Sequence, residues 1–315
     1  MIDRYGCQLR KKIIVHIGYP KCGSSAIQHF LCHHQQLEGS GFSYRYFVMG
    51  KDGILSAQDI TARSRRSLSG YVASVGSLTD ALQALLHTLE KEDETGAVPI
   101  MSQEGWGSND DITDLKVFAA ELTHEIELHI VGYVRPQISW LQSAWWQWYA
   151  WRGDGLILDD AWKWLRHTVK WQSRLQRFSG IPCVATVSAR LQNAHADITR
   201  DFLEYLEIDK GAYAAGKRIN MSVSATHVAL YRRFPRLRTP HDSRADLLID
   251  KLLPTHRPPP FILTRDFAQQ VVEEVHEDNH ALLNGLDEIA QAKMQADQRW
   301  WSVEPYAEHW GGTRG

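Results

Sequence analysis

The chain has 315 residues and a formal net charge of −2, so it can bury a large core, and its charge argues against nucleic acid as the main partner. Its four cysteines are scattered, with neither metal-ligand spacing nor a disulfide framework. The N-terminal residues lack the apolar stretch of a signal peptide, and no run approaches the length of a membrane span. We therefore expect a soluble, cytoplasmic protein with no membrane partner. The length fits one domain over residues 1–315, with a core at about 11–210 and a helical extension at about 211–315.

The first predicted element is a buried strand that runs into a tight loop and a helix. The strand is predicted from four β-branched residues: Ile13, Ile14, Val15 and Ile17. Gly18 and Pro20 interrupt the strand pattern. A helix then opens at three small residues: Gly23, Ser24 and Ser25. Its apolar residues recur at helical spacing, which predicts a strand–loop–helix unit.

Lys21 gives this loop its predicted chemistry. The backbone N–H groups of the loop and the N-terminus of the helix favour an anion, and the lysine adds a full positive charge. Cys22 can still contribute its backbone N–H group. Lys21 precedes Gly23, whereas the lysine of a nucleotide-binding Walker loop follows the second glycine. We predict a phosphate site of another kind; the alternative is an ordinary strand–helix turn without a ligand.

The second predicted strand is Ala97–Ser102, and Glu104 follows it. In doubly wound sheets ligands bind at the carboxyl ends of the strands, so this carboxylate is expected beside the first loop. Glu104 is the candidate general base. The alternative is a helix N-cap or first-turn acidic residue ahead of the segment Asp110–Leu122, which is predicted to be helical. His16, in the first strand, is a more distant candidate for the base.

The third predicted strand, Glu127–Val134, ends at Arg135 and Pro136, and a helix follows. Ser143 lies eight residues after Arg135 on that helix. Arginine binds phosphate through two parallel hydrogen bonds, and a hydroxyl group one to two helical turns along can face the same oxygen atoms. The alternative for Arg135 is a surface ion pair.

The stretch from Trp140 to Trp171 is rich in tryptophan, and one helical face cannot hold all of these rings. An exposed aromatic shelf beside an anion site suits a sugar ring or an aromatic alcohol. Trp145, Trp146 and Trp148 are the candidates for such a shelf. Packing in the core is the alternative for each of them.

The remaining segments continue the alternation of strands and helices. A fourth strand is predicted over Pro182–Ser188 and a helix over Asp197–Leu206. Serines of Asn220–Ser224 cap a further helix, and Phe261–Ala296 is largely helical. The histidines form no set that is completed by a carboxylate at metal-binding spacing, so no metal is expected.

These motifs resemble those of the sulfotransferases that use 3′-phosphoadenosine 5′-phosphosulfate (PAPS). The family's loop pattern is P-K-[ST]-G-[ST]-[ST] after a strand, and the variant that begins H-I-G is similar to bacterial-type carbohydrate sulfotransferase domains. The family also shows a [ST]-x-E sequence, which Ser102-Gln103-Glu104 matches, and the arginine–serine spacing of Arg135 and Ser143. This chain departs from the pattern at Cys22, where the family has serine or threonine.

The resemblance implies an α/β, P-loop-like three-layer fold with a central parallel sheet flanked by helices, plus a helical C-terminal part. It implies that Lys21 and Glu104 are catalytic and that Arg135 and Ser143 bind the donor's 3′-phosphate. It also implies that the segment with Trp145, Trp146 and Trp148 flanks the acceptor cleft, so that these are the candidate acceptor-binding residues. The loop residues implied for the 5′-phosphosulfate are Gly18, Pro20, Lys21, Cys22, Gly23, Ser24 and Ser25. The implied donor is PAPS, its product is adenosine 3′,5′-bisphosphate, and no metal takes part.

Two rival functions stay open at this point. A small-molecule kinase would need ATP and Mg²⁺, and the position of the lysine argues against it. A nucleotide-binding module without catalysis would use Lys21 and Glu104 only structurally. Within the sulfotransferase interpretation, the acceptor is either a carbohydrate or a small natural product. The sequence does not decide the oligomeric state.

Overall fold

The computed structural model describes residues 10–67, 69–92, 96–109, 111–122, 125–151, 157–192, 197–209, 211–213, 223–238, 244–253 and 257–311. The chain groups into two compact units, Met1–Val134 with Ser173–Asn220, and Arg135–Gln172 with Met221–Gly315. The predicted organisation as one domain stays a prediction. Of the predicted segment Asn220–Ser224, the first three residues lie outside the described residues. Among the described helices, none is both long enough and apolar enough to cross a bilayer.

The first unit contains a six-stranded mixed sheet, a separate two-stranded sheet, and helices that connect the strands. Its strands are β1 (Lys11–His16), β2 (Gln36–Glu38), β3 (Ser43–Phe47), β4 (Met49–Gly50), β5 (Gly53–Ile54), β6 (Val98–Ser102), β7 (Ile126–Val134) and β8 (Val184–Leu191). The helices that complete it are α1 (Ser24–His33), α2 (Ala57–Arg66), α3 (Leu78–Glu92), α4 (Thr113–Glu121) and α8 (Ile198–Tyr205).

The main sheet has the order β2-β3-β6-β1-β7-β8, and β4 pairs separately with β5. All neighbours in the main sheet are parallel except β2, which runs antiparallel to β3 at the edge. The α/β class with a mainly parallel central sheet is therefore confirmed, with an antiparallel edge strand that the sequence pattern did not predict. Gly39 and Phe42 close that hairpin through a backbone hydrogen bond of 2.8 Å.

The strand order creates a crevice at the carboxyl ends of β1 and β6. The connection after β1 leads to β3 on one side, and the connection after β6 leads to β7 on the other side. Such a reversal is the topological switch point at which α/β sheets bind ligands. Right-handed crossovers place α1 on one face of the sheet and α3 and α4 on the other. Consistent with this, α1 packs on α8, and α3 packs on α4.

The hydrophobic pattern accounts for the centre of this unit. Ile13, Ile14 and Val15 are buried in β1, as a central strand flanked by helices requires. The leucines of α3 recur at helical spacing from Leu78, and this face lies in the core. The strand predicted over Pro182–Ser188 is displaced, because β8 pairs with β7 as far as Leu191 opposite Val134.

The second unit is helical in its described part, as predicted for the C-terminal region. Its helices are α5 (Gln137–Ala144), α6 (Leu158–Leu165), α9 (Ala225–Arg233), α10 (Arg244–Leu252), α11 (Arg265–Asn284) and α12 (Glu288–Ala296), and the unit boundary falls within α7 (Trp171–Ser179). The rings of Trp140 and Trp171 are fully buried and meet edge to face. The Gln137 Nε2 donates to Asn279 Oδ1 over 2.6 Å inside this core.

Candidate active site

Residues 17–23, here called the anion loop, leave β1 at the switch point and enter α1. The Cys22 N–H donates to the Tyr19 carbonyl over 3.1 Å, which closes a tight turn. Lys21 has a φ of 65° and Gly23 a φ of 90°, so two nearby residues take the left-handed conformation. For a residue with a side chain this conformation costs about 1–2 kcal/mol. Strain of this kind is concentrated at functional sites, which favours a binding role for the loop.

The two serines that open α1 have their hydroxyl groups fixed by neighbours. The Ser24 Oγ donates to the Tyr19 carbonyl over 3.2 Å. The Ser25 Oγ lies 3.2 Å from the hydroxyl of Tyr71. The first N–H groups of a helix have no partner within the helix, so α1 offers donors to an anion next to Lys21.

Gly18 allows the anion loop to touch the turn that follows β6. A Cβ atom at this position would lie 2.3 Å from the Ser24 Oγ and 3.1 Å from the Glu104 Cα. Gly107 makes a similar contact, because a Cβ there would lie 2.6 Å from the Ile17 carbonyl oxygen. Both glycines are therefore required by close backbone approach.

Lys21 and Glu104 interact electrostatically across this contact. Glu104 is partly buried, and its burial raises the pKa of the carboxyl, while the Lys21 ammonium opposes that shift. A carboxylate with a raised pKa is a stronger base than one in water, which suits proton abstraction. The structure thus brings together the two residues for which the sequence predicted catalytic roles.

His16 lies beneath the crevice and does not suit the role of a base. Its Nδ1 is 2.8 Å from the Ser102 Oγ, and its ring meets the edges of Tyr133 and Phe202. Complete burial lowers the pKa of His16 to about 3. So weak a base stays neutral near pH 7 and has little tendency to take a proton. The geometry favours Glu104.

Two arginines hold the turn after Glu104, and sequence reasoning missed both. Arg174 donates from Nη1 to the Ser108 carbonyl over 2.9 Å. Arg177 donates to the Gly107 carbonyl over 3.1 Å and to the Asn109 carbonyl over 2.6 Å. Both lie on α7, three residues apart, so they face the same way. The Arg-x-x-Arg spacing on an amphipathic helix was the only signal for them in the sequence.

The segment after β8 supports the anion loop from a second direction. A Cβ at Gly23 would lie 2.3 Å from the Ile198 Cδ1 and 3.5 Å from the Gln192 Nε2. Ile198 begins α8, which is fastened to the sheet by Asp201. This carboxylate accepts from the Tyr133 hydroxyl over 2.6 Å and binds the Arg190 guanidinium through two nitrogens.

Arg135 and Ser143, predicted for the 3′-phosphate, belong to the second unit. Arg135 directly follows β7 and is partly buried, and its carbonyl accepts from Trp171 Nε1 over 2.9 Å. Ser143 is partly buried near the end of α5. Their predicted role stays a prediction.

The three candidate acceptor tryptophans also lie in the second unit, in a π-helical turn over Trp145–Tyr149. Trp146 is 5% exposed and packs with Val223 and Val228, and its Nε1 donates to the Pro260 carbonyl over 2.9 Å. Trp145 and Trp148 are partly buried. Trp146 is thus a core residue in this unit, while the acceptor role of the group stays a prediction.

Among the described residues, no group of three or more His, Cys, Asp or Glu side chains is placed to hold a metal ion. The cysteines in the described part of the chain, Cys22, Cys32 and Cys183, are buried, and none of them is in a disulfide.

Comparison with protein-family models gives no match, and comparison with curated proteins gives none either. Comparison with solved structures returns a sulfotransferase from Alicyclobacillus acidocaldarius, which is 11% identical in sequence. The match covers 90% of this chain and 100% of that chain, with a TM-score of 0.45. Because so distant a similarity carries no chemistry by itself, the function of this chain has to be inferred from its own residues.

Proposed function

We propose that the protein is a sulfotransferase that moves a sulfuryl group from PAPS to a hydroxyl group of a carbohydrate or small-molecule acceptor. One observation carries the proposal: Lys21, which has a left-handed conformation in the anion loop, interacts electrostatically with Glu104 at the switch point of the sheet. Transfer from an anionic donor to a hydroxyl group requires a cation, which stabilises the charge on the leaving group, and a base, which takes the proton of the hydroxyl group.

The anion loop, the N-terminus of α1 and Lys21 would bind the 5′-phosphosulfate of the donor. Arg135 and Ser143 are the residues that we assign to the 3′-phosphate. The donor supplies the sulfuryl group. Because the bridging oxygen of the donor leaves as phosphate, Lys21 and the backbone N–H groups stabilise the negative charge that develops there.

Glu104 takes the proton of the acceptor hydroxyl as the new oxygen–sulfur bond forms and the sulfur–oxygen bond to phosphate breaks. The products are a sulfate ester, adenosine 3′,5′-bisphosphate and a protonated Glu104, so charge and atoms balance. As in phosphoryl transfer, the contribution of the protein is positioning and electrostatic stabilisation. The chemistry assigned to these residues needs no metal ion.

Calorimetric titration without added metal tests the donor. We expect tight binding of adenosine 3′,5′-bisphosphate, weak binding of ATP, and loss of bisphosphate affinity in Arg135→Ala. A preference for ATP would favour the kinase interpretation. Binding of neither nucleotide would remove the basis of the proposal.

Lys21→Ala tests the role of the loop in catalysis. We expect the rate of sulfuryl transfer to fall by roughly 10²–10³-fold, the range for loss of one oxyanion-hole donor. Lys116→Ala, at an exposed position of α4, is the matched control and should keep the wild-type rate. Unchanged turnover in Lys21→Ala would contradict the assignment.

A further inference from the structure

The longest helix of the second unit carries a pair of exposed histidines that the proposed function does not use. His276 and His280 lie four residues apart on α11, and both side chains are exposed. Residues at this spacing are neighbours on one face of a helix. The segment His276–His280 reads H-E-D-N-H, and in zinc-binding helices the spacing H-E-x-x-H places two imidazoles on one side of the helix.

The two rings are placed so that one metal ion can bind both of them. Their centres are 4.5 Å apart, and their planes are inclined at 64°. A Zn–N distance of about 2.0–2.1 Å puts a metal roughly 3.2 Å from each ring centre, so two imidazoles at about 90–110° around it have centres about 4.5–5.2 Å apart. The observed separation meets the lower end of that range. Because the planes are inclined, lone pairs that lie in the two rings can converge on one point.

His29 and His33 form a second histidine pair with the same spacing, on α1, but its rings are arranged differently. They stack at 4.2 Å with their planes only 26° apart, so lone pairs in the two rings run nearly parallel. The His33 Nδ1 also lies 2.8 Å from the His29 carbonyl oxygen, and His29 is partly buried. Of these two pairs, the one on α11 therefore has the geometry of a chelate.

The opposite face of α11 fixes the direction in which the histidines point. Asn279, between them in the sequence, is fully buried, and its Nδ2 donates to the Trp300 carbonyl over 3.0 Å while its Oδ1 accepts from Gln137 Nε2 over 2.6 Å. The Asp278 carboxylate accepts from the Gln172 N–H over 3.0 Å. These bonds prevent rotation of the helix about its axis, so little ordering is needed when the exposed face binds a ligand.

Trp301 borders the histidine pair and is itself held in place. Its ring centre is 4.9 Å from that of His280 and 6.5 Å from that of His276, and its Nε1 donates to the Met294 carbonyl over 2.9 Å. This contact limits the rotamers open to His280. Within the described part of the chain, neither histidine makes a hydrogen bond or an ion pair, so the nitrogens of both rings are available to a ligand.

Two carboxylates give this face a negative charge. Glu273 and Glu277 are exposed, and each lies three residues before one of the histidines. No carboxylate among the described residues is placed as a third ligand. The two glutamates instead attract cations to the surface around the pair.

We propose that His276 and His280 form a surface site for one late first-row divalent metal ion, with water in the remaining coordination positions. Imidazole suits Zn²⁺, Ni²⁺ and Cu²⁺, and the Irving–Williams order predicts that Cu²⁺ binds most tightly of the three. The site is independent of the proposed function, in which α11 has no role. Metal at this site therefore stabilises α11 and leaves sulfuryl transfer unchanged.

Calorimetric titration of the untagged protein with ZnCl₂ and with NiCl₂ tests the site. We expect one ion per chain at the tightest site. Because one helix holds both imidazoles, the second binds intramolecularly, and His276→Ala and His280→Ala should each weaken this binding by roughly 10²-fold. His87→Ala, which removes a single exposed histidine of α3, and His33→Ala, which removes one ring of the stacked pair, are the matched controls and should keep the wild-type affinity.

Thermal unfolding with and without NiCl₂ gives a second measurement. The ion should raise the melting temperature of the wild type and of both controls, and of neither α11 variant. Wild-type melting temperatures of the α11 variants without metal would show that their weaker binding reports the site and not the fold. Unchanged affinity in both α11 variants, an equal loss in His33→Ala, or no binding by the wild type at millimolar Zn²⁺ and Ni²⁺ would overturn the inference.

Discussion

At the scale of single residues, Gly18 sets how closely the anion loop approaches the candidate base. Gly18→Ala would place a methyl group 2.3 Å from the Ser24 Oγ and 3.1 Å from the Glu104 Cα. We expect a loss of about 1–3 kcal/mol in the free energy of unfolding. Because misplacement of reacting groups by about 1 Å can cost about 10²-fold in rate, activity should fall more steeply than stability.

Urea unfolding and initial rates on the same preparations measure both effects. Gly180→Ala is the matched control, because a Cβ there would meet nothing within 4 Å. Wild-type activity in Gly18→Ala would show that the contact with Glu104 does not matter.

The ionised carboxylate of Glu104 is predicted to lower the free energy of unfolding of the wild-type protein. Its carboxyl has a raised pKa, so the ionised form is disfavoured by folding and the wild-type protein loses stability as pH rises from about 4 through the raised pKa. Glu104→Gln removes this charge. We expect a higher melting temperature than wild type at about pH 8, a difference that shrinks toward about pH 4, and a loss of roughly 10²–10⁴-fold in turnover.

Thermal unfolding across this pH range, with bisphosphate affinity as a check on folding, tests the idea. A Glu104→Gln protein that is less stable than wild type at about pH 8 would mean that the carboxylate is a structural partner. Retained turnover in this variant would reassign the base.

At the scale of elements, Asp201 fastens α8 to β7 and β8. It joins the Tyr133 hydroxyl to the Arg190 guanidinium, and α8 in turn places Ile198 against Gly23. Removal of one partner from a buried pair costs about 3–5 kcal/mol. Because the side chains of Arg190 and Asp201 are 20% and 28% exposed, we expect about 2–3 kcal/mol for Asp201→Ala.

Equilibrium denaturation measures the loss in the free energy of unfolding of Asp201→Ala. The matched control is Asp160→Ala, which removes an exposed ion pair with Lys163 and should lower the free energy of unfolding by less than about 1 kcal/mol. We also expect weaker binding of adenosine 3′,5′-bisphosphate in Asp201→Ala, because the support of the anion loop is loosened. Equal stability of the two variants would show that α8 is held by its apolar face alone.

At the scale of the whole molecule, ligand binding should stabilise the fold without a metal. Adenosine 3′,5′-bisphosphate at about 100 times its Kd should add about 2.7 kcal/mol to the free energy of unfolding. Because the residues assigned to the reaction are a lysine, a carboxylate and backbone N–H groups, we expect EDTA to change neither this gain nor turnover.

Thermal unfolding with the bisphosphate measures the gain in stability, and adenosine is the control ligand. The same measurement, together with turnover, is repeated in the presence of EDTA. Loss of the gain or of turnover on EDTA treatment, restored by a divalent cation, would show that a metal belongs to the site.

The sequence by itself determined the elements whose signal is local. The β-branched run before Gly18 predicts β1, and the small residues after Lys21 predict the start of α1, because these choices depend on backbone preferences of a few adjacent residues. Alternation of strands with helices predicts the α/β class in the same way.

Only the tertiary structure decided which residues surround the anion loop. Glu104 lies far along the chain from Gly18, and its proximity depends on the pairing of β1 with β6 and on the absence of a side chain at Gly18. Tyr71 carries no motif that could have marked it as a neighbour of Ser25. The raised pKa of Glu104 and the lowered pKa of His16 likewise arise from burial, which is produced by packing between distant segments and leaves no local pattern in the sequence.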